Sequence, residues 1–154
     1  MGGLISFELT RFLRREYGIS PIHLFVSARR APQVPASHPP IHKLSDSKFQ
    51  DELRRLNGTP EAVLENDELM QLLLPTLRAD FSVIETYTYA TEPPLDCPIA
   101  VFGGLEDREV SYEELQAWQE QTNGAFSLHM LPGNHFFMHS AQSLILELLS
   151  QILH

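Results

Sequence analysis

At 154 residues, with 43% hydrophobic and 20% charged residues and a net charge of −9, the chain has the length of one domain and the composition of a packed globular protein. The acidic balance excludes the basic stripe that nucleic acid requires, and no apolar run reaches the length of a membrane span. One cysteine, Cys97, excludes an internal disulfide framework and fits a reducing cytoplasm; just ahead of a strand it reads as a packing residue.

The first element is an amphipathic helix over residues 4–16 that ends at Gly18, with Leu4, Ile5, Leu9, Phe12 and Leu13 as its apolar positions and Arg11, Arg14, Arg15 and Glu16 elsewhere on the wheel. Gly2 and Gly3 ahead of it suit a sharp turn or a close backbone approach. Ile22 to Val26 reads as a strand with His23 inside it as a filler, followed at its carboxyl end by Arg29 and Arg30. Ala31 to Pro40, with four prolines, is an extended loop, and His38 and His42 beside it have no carboxylate or Cys cluster at ligand spacing.

Ser45 to Leu74 reads as two or three short helices. The first is capped by Ser45 or Asp46, carries Phe49, Leu53 and Leu56, and stops at Asn57-Gly58. Thr59-Pro60-Glu61 opens the second, and Asn66 or Asp67 caps a third bearing Leu69, Leu72 and Leu73. Its apolar excess suits either a plain core or a lid over a lipophilic site. Leu77 to Tyr89 reads as a further, mostly helical stretch.

The chemistry is concentrated between Pro98 and His139. Ile99–Phe102 is a short apolar run closed by Gly103-Gly104, as a buried parallel strand should be. Glu106 and Asp107 follow, and Ser111 to Glu114 is a capping box opening a helix on which Trp118 reads as a packing anchor. Phe126–Met130 is the next strand, ending at Pro132-Gly133-Asn134-His135, and residues 141–153 form a last helix with a broad apolar stripe. In a parallel sheet both loops leave the carboxyl ends of neighbouring strands, where open α/β sheets hold their ligands. An Asp and a His there are two parts of a Ser-His-Asp relay. His135 is the candidate base, where Gly133 lets the backbone bend, and His139 is its nearest rival. The spacing of the two histidines would suit a metal pair on a helix, but Phe136 stands where H-E-x-x-H needs its Glu, so no metal site is expected. Either Glu106 or Asp107 has the chemistry to orient an imidazole.

Gly103-Gly104-x-x-Asp107-x-x-Val110, then Glu114-Leu115-x-x-Trp118, then Pro132-Gly133-x-His135-Phe136-Phe137, together resemble the closing part of a type II thioesterase of nonribosomal peptide and polyketide synthesis, an α/β-hydrolase. Met1-Gly2-Gly3 with Ile5 to Leu9, Ser27 to Pro32, residues 53–75 and Arg78 to Phe81 match as well. The resemblance covers essentially all of this chain and only the second part of the family's domain. It implies an α/β fold: residues 1–154 form the C-terminal part of an α/β-hydrolase, with parallel strands flanked by helices and a helical lid insertion at 45–76 over the acyl channel.

By the same resemblance Asp107 is the orienting carboxylate, with Glu106 turned to solvent, His135 is the base, and the amide of Met1 helps form the oxyanion hole. The family's nucleophile sits in a G-x-S-x-G turn; this chain begins at the Met after that Ser, and Ser6 and Ser27 lack the setting, so the chain alone is expected to be inactive. The implied activity is hydrolysis of misloaded acyl or aminoacyl thioesters from phosphopantetheine arms, with acyl or peptidyl carrier domains as partners and no cofactor of the enzyme's own. Arg29 and Arg30 are either a solvated turn or a contact with that phosphate-bearing partner. A competing reading is a non-catalytic module that binds carrier proteins. Without the strand that precedes the Ser in the family, the Ile22–Val26 strand is expected to keep an unpaired edge and the chain to self-associate through it.

Overall fold

The computed structural model describes residues 1–153 and divides into two compact units: Met1–Val34 with the chain from Ala90 onward, and Pro35–Tyr89. The first unit is built on a parallel three-stranded sheet in the order β1 (Leu24–Ser27), β2 (Ile99–Gly104), β3 (Phe126–Leu131). All six residues of β2 are buried, as a continuous apolar run must be when both faces of a central strand are covered. β1 begins at Leu24, whose amide bonds to the Pro98 carbonyl, two residues later than the sequence suggests. Ile22 stays 83% exposed, and His23 falls outside the strand, its ring stacked on Phe25 at 4.5 Å and its pKa pushed down by burial.

Alternation along the strands sends successive side chains to opposite faces. On one face Ala100, Phe102 and Leu131 pack with Phe137, Ala141 and Ile145, which brings in the short helix α6 (Phe137–Ser140) and the terminal helix α7 (Gln142–Leu153). On the other lie α1 (Gly2–Tyr17) and α5 (Tyr112–Gln116), the latter continued by a 3-10 turn over Ala117–Gln121. The capping box of Ser111 and Glu114 is formed in both directions. Trp118 is fully buried, edge-on to Phe7 at 5.3 Å, and its indole N–H donates to the Arg29 carbonyl at 2.7 Å. Gly2 and Gly3 lie in the first turn of α1 rather than in a sharp turn before it. Only Gly3 is a contact point: a side chain there would start 3.0 Å from Val26 Cγ1, so its absence lets α1 settle on β1.

Helix α1 is turned differently from the expectation. Leu4, Phe7, Thr10 and Arg11 face inward, whereas Ile5, Leu9 and Phe12 are exposed. The cause is a demand for cations inside. Arg11, 2% exposed, pairs with Glu8 at 2.8 Å and Glu92 at 3.0 Å and donates to the Ala90 carbonyl. Arg14 donates to the carbonyls of Pro93 and Pro94. The prolines of the 90–94 segment offer carbonyls that no ladder uses, and the arginines of α1 satisfy them. The helix closes on Gly18 in the left-handed region.

The second unit is helical: α2 (Asp46–Leu56), a single turn α3 (Glu61–Leu64) and α4 (Asp67–Glu85). The pattern suggests a break at Pro75, but α4 runs through it for 19 residues, capped by the Asn66 side chain on the Leu69 amide. Pro75 removes one i to i−4 bond, and the apolar stripe of Met70, Leu74, Leu77 and Phe81 against Phe49 and Leu53 holds both halves of the helix to one core. His42 is held by Glu85, which also accepts the amides of Ile41 and His42, and Arg78 covers the Phe49 ring at 4.6 Å. Among the described residues no helix is long and apolar enough to cross a membrane.

The Arg11–Glu92 pair gives a prediction. Arg11→Ala leaves the Ala90 carbonyl without its donor and Glu92 with only Arg14 and Arg15, and should lower the unfolding free energy by ~2 kcal/mol in urea titration. The hydrogen bond from Arg11, more than any other influence, holds the Glu92 carboxyl below its usual range. The stability it contributes is therefore complete above the unfolded carboxylate value of about 4.3 and is lost as pH falls through the lower folded value. Glu92→Gln should flatten that part of the acid-stability curve.

Candidate active site

Asp107 and His135 both belong to the first unit, three residues past the end of β2 and four past the end of β3. The parallel pairing of Phe102 with His129 and of Gly104 with Leu131 sends both loops out at the same end of the sheet. Two backbone hydrogen bonds then lace the loops together: Leu105 N to Leu131 O at 2.8 Å and Glu106 N to Gly133 O at 3.0 Å. This closeness depends on Gly104. A Cβ there would stand 2.4 Å from the Asn134 carbonyl oxygen and 2.5 Å from that of Gly133. Gly133 itself has φ +120°, a region only glycine enters freely, and there the chain turns back after β3. Asn134 finishes the turn by accepting the Phe136 amide on its side chain and the Phe137 amide on its carbonyl.

The Asp107 side chain is fully buried. Its Oδ1 accepts the amides of Glu109, at 2.8 Å, and Val110, at 3.3 Å, while Oδ2 faces His135 Nδ1 at 2.9 Å. A buried carboxylate is tolerated only with such partners. Because both oxygens accept, Nδ1 must carry the imidazole proton, which leaves Nε2 with its lone pair. The His135 side chain is 31% exposed, so that nitrogen is open to a reacting group. Phe136 stands edge-on to the ring at 5.4 Å, and Phe137 behind the loop is fully buried. An imidazole held in one tautomer by a buried carboxylate is equipped to take a proton from a nucleophile and return it to a leaving group.

The other sequence candidates fall elsewhere. Glu106 is exposed and serves the site only through its backbone amide. His139 is exposed on α6. Arg29 and Arg30 follow the carboxyl end of β1, the same end of the sheet as the pair; the Arg29 carbonyl anchors Trp118 and Arg30 Nε donates to the Val34 carbonyl. Between β1 and Arg29, Ala28 has φ +48°, a strained setting for a residue with a side chain. Met1 caps α1, its carbonyl accepting the amides of Leu4 and Ile5. Among the described residues no group of three or more His, Cys, Asp and Glu side chains is gathered for a metal ion. An open cavity of about 600 Å³ lies along α5 and the 3-10 turn, lined by Tyr112, Glu113, Gln116, Ala117, Gln119 and Glu120. Neither member of the pair lines it, so the chemistry is placed by the pair and not by the cavity.

The family profile described as the thioesterase domain matches residues 1–153. The chain belongs to the thioesterase family. It is 51% identical over 147 residues to the gramicidin S biosynthesis protein GrsT of Aneurinibacillus migulanus, a match covering 96% of this chain and 57% of that one. It is 46% identical over 156 residues to the linear gramicidin dehydrogenase LgrE of Brevibacillus parabrevis, covering 99% of this chain and 59% of the relative. The solved thioesterase RedJ of the prodiginine pathway of Streptomyces coelicolor superposes with a TM-score of 0.86 at 37% identity, covering 96% of this chain and 59% of that one. The chain thus spans under three-fifths of the length of these relatives, and its parallel sheet flanked by helices is that part of a thioesterase fold of the α/β-hydrolase type.

In this thioesterase chain, Gly104→Ala should push the Pro132–His135 loop away from β2. The expected result is loss of the hydrogen-bonded Nδ1 proton signal of His135 in the NMR spectrum, with the remainder of the sheet retained. A conserved signal would show that the loops meet without help from Gly104.

Proposed function

We propose that the chain supplies the base and the orienting acid of a serine-type thioesterase, and that the whole enzyme hydrolyses acyl or aminoacyl thioesters from the phosphopantetheine arms of carrier proteins. The observation that carries this reading is the 2.9 Å contact of His135 Nδ1 with the buried Asp107 carboxylate, with Nε2 left open. In the proposed reaction a serine oxygen attacks the thioester carbonyl while His135 Nε2 takes its proton. The tetrahedral intermediate collapses, the thiolate leaves with the proton from the imidazolium, and water attacks the acyl-serine by the same route in reverse. No cofactor enters these steps, because the substrate arrives on its partner's own prosthetic arm.

The nucleophile is assigned to a serine of a G-x-S-x-G turn, and none of this chain's serines stands in that pattern. In this reading the amide of Met1 completes the oxyanion hole next to that turn, the helical stretch 45–76 acts as a lid that shapes the choice of acyl group, and Arg29 and Arg30 meet the phosphate of the arm. GrsT is named for gramicidin S biosynthesis, LgrE for linear gramicidin and RedJ for the prodiginine biosynthetic pathway, which supports a place beside a biosynthetic apparatus of that kind; in this reading the role there is editing, in the cytoplasm.

A non-catalytic carrier-binding module remains as the second reading, favoured by one observation: no described hydroxyl is hydrogen-bonded to His135 Nε2. The two separate by kinetics. In a protein carrying these residues behind an intact G-x-S-x-G turn, Asp107→Asn should lower kcat on an acyl-carrier thioester by about 10⁴-fold and His135→Ala by at least as much, while the 154-residue chain alone stays at background. Undiminished turnover in either variant would remove the assignment, and carrier binding without any turnover would favour the module.

A further inference from the structure

Helix α5 is the element on which the buried carboxylate of Asp107 leans. The turn that supplies its two amide donors, Glu109 and Val110, runs straight into Ser111, the N-cap of α5. Yet α5 has five residues, and a helix that short has no stability of its own in water. Its start must be fixed from outside, or the turn can open and leave the carboxylate without its donors.

Two contacts hold it. From below, Leu115 is fully buried against Gly103 of β2, where a side chain would begin 2.4 Å from Leu115 Cδ1. From the side comes a strap, residues 28–33. The Ala28 amide still bonds to the Phe102 carbonyl at 2.9 Å, and its φ of +48° then turns the chain off the sheet. A residue with a side chain keeps that conformation only where its surroundings impose it. The strap is committed on its far side to α5 and the 3-10 turn. The Arg29 carbonyl accepts the Trp118 indole N–H at 2.7 Å, the Ala31 amide donates to the Glu114 carbonyl at 3.0 Å, and Gln33 Nε2 donates to the Ala117 carbonyl at 2.8 Å. Ala31 and Trp118 are both fully buried, so water cannot readily replace the bonds they make.

We propose that Trp118 is a positioning residue for Asp107: tied to the strap, it keeps α5 seated on β2 and so keeps the amides of Glu109 and Val110 aimed at the carboxylate that orients His135. The ends of β2 and β3 set where acid and base meet, and the strap sets how firmly the acid's own turn stays closed. Plain filling of the core would need only the ring, which Phe7 meets edge-on at 5.3 Å; the indole N–H is aimed instead at main chain that ties β1 to α5. The proposal rests on the reading of His135 and Asp107 as base and orienting acid, but its test reads hydrogen bonds and not turnover.

The test is amide hydrogen exchange by NMR in the 154-residue chain, its Trp118→Phe variant and its Gln33→Ala variant. The first removes one strap bond and keeps a ring against Phe7; the second removes another at a half-buried position, should the first fail to fold. Exchange at Glu109 and Val110 should quicken by about tenfold in Trp118→Phe, the weight of one hydrogen bond, and by about threefold in Gln33→Ala. The hydrogen-bonded Nδ1 proton signal of His135 should broaden in both, while amides in β2 and β3 keep their wild-type rates. Unchanged exchange at Glu109 and Val110 in both variants, or a rise of the same size across β2 and β3, would overturn the proposal. Neither result touches the assignment of base and acid, which stands or falls on the turnover of Asp107→Asn and His135→Ala.

Discussion

Two loops are held against each other at the carboxyl ends of β2 and β3 by backbone hydrogen bonds, and the rest of the site follows from that contact. β2 is buried over its whole length and pairs in register on both sides, so its end is fixed by the core. Gly104 then lets the returning backbone of Gly133 and Asn134 come to within a distance that any side chain would forbid. The placing of Asp107 and His135 is thus a property of main chain and glycine. Side-chain packing below, through Phe137, serves mainly to keep the second loop from lifting.

The carboxylate of Asp107 is the costly part of this arrangement. Removed from water, it would favour its neutral form or an opened loop unless its charge were answered. Two amides and one imidazole N–H answer it, and the amides come from the turn that Asp107 itself begins. That turn delivers the chain to Ser111, where the capping box starts α5. The acid is therefore anchored between a strand end and a helix start. The carboxylate that orients the imidazole is thereby held in place.

Much of this was legible in the sequence, for local reasons. Gly103-Gly104, Ser111 with Glu114, Gly133 and Gly18 each mark a backbone event that few other residues permit, and the strands β2 and β3 appear as apolar runs between such marks. Asp107 could be separated from Glu106 only by the family's spacing; the structure supplies the physical distinction, since one side chain turns inward to two amides and the other faces solvent. The orientation of α1 was not legible. Its apolar positions name one face as the inner one, yet Arg11 lies inside and Ile5, Leu9 and Phe12 outside, because the carbonyls of the Ala90–Pro94 segment are what the helix meets. No window of helical sequence contains the element 80 residues away that decides the matter. The passage of α4 through Pro75 escaped for the same reason, its continuity being fixed by the common core of Met70, Leu74 and Phe49.

The inverted helix and the well-ordered pair bear on each other. The inner face of α1 combines the apolar contacts of Leu4 and Phe7 with the ion pairs of Arg11. The arginines fix the register of α1 on the sheet whether or not anything covers Ile5, Leu9 and Phe12. The geometry of the Asp107–His135 pair is specified by the ends of β2 and β3 and by Gly104 and Gly133.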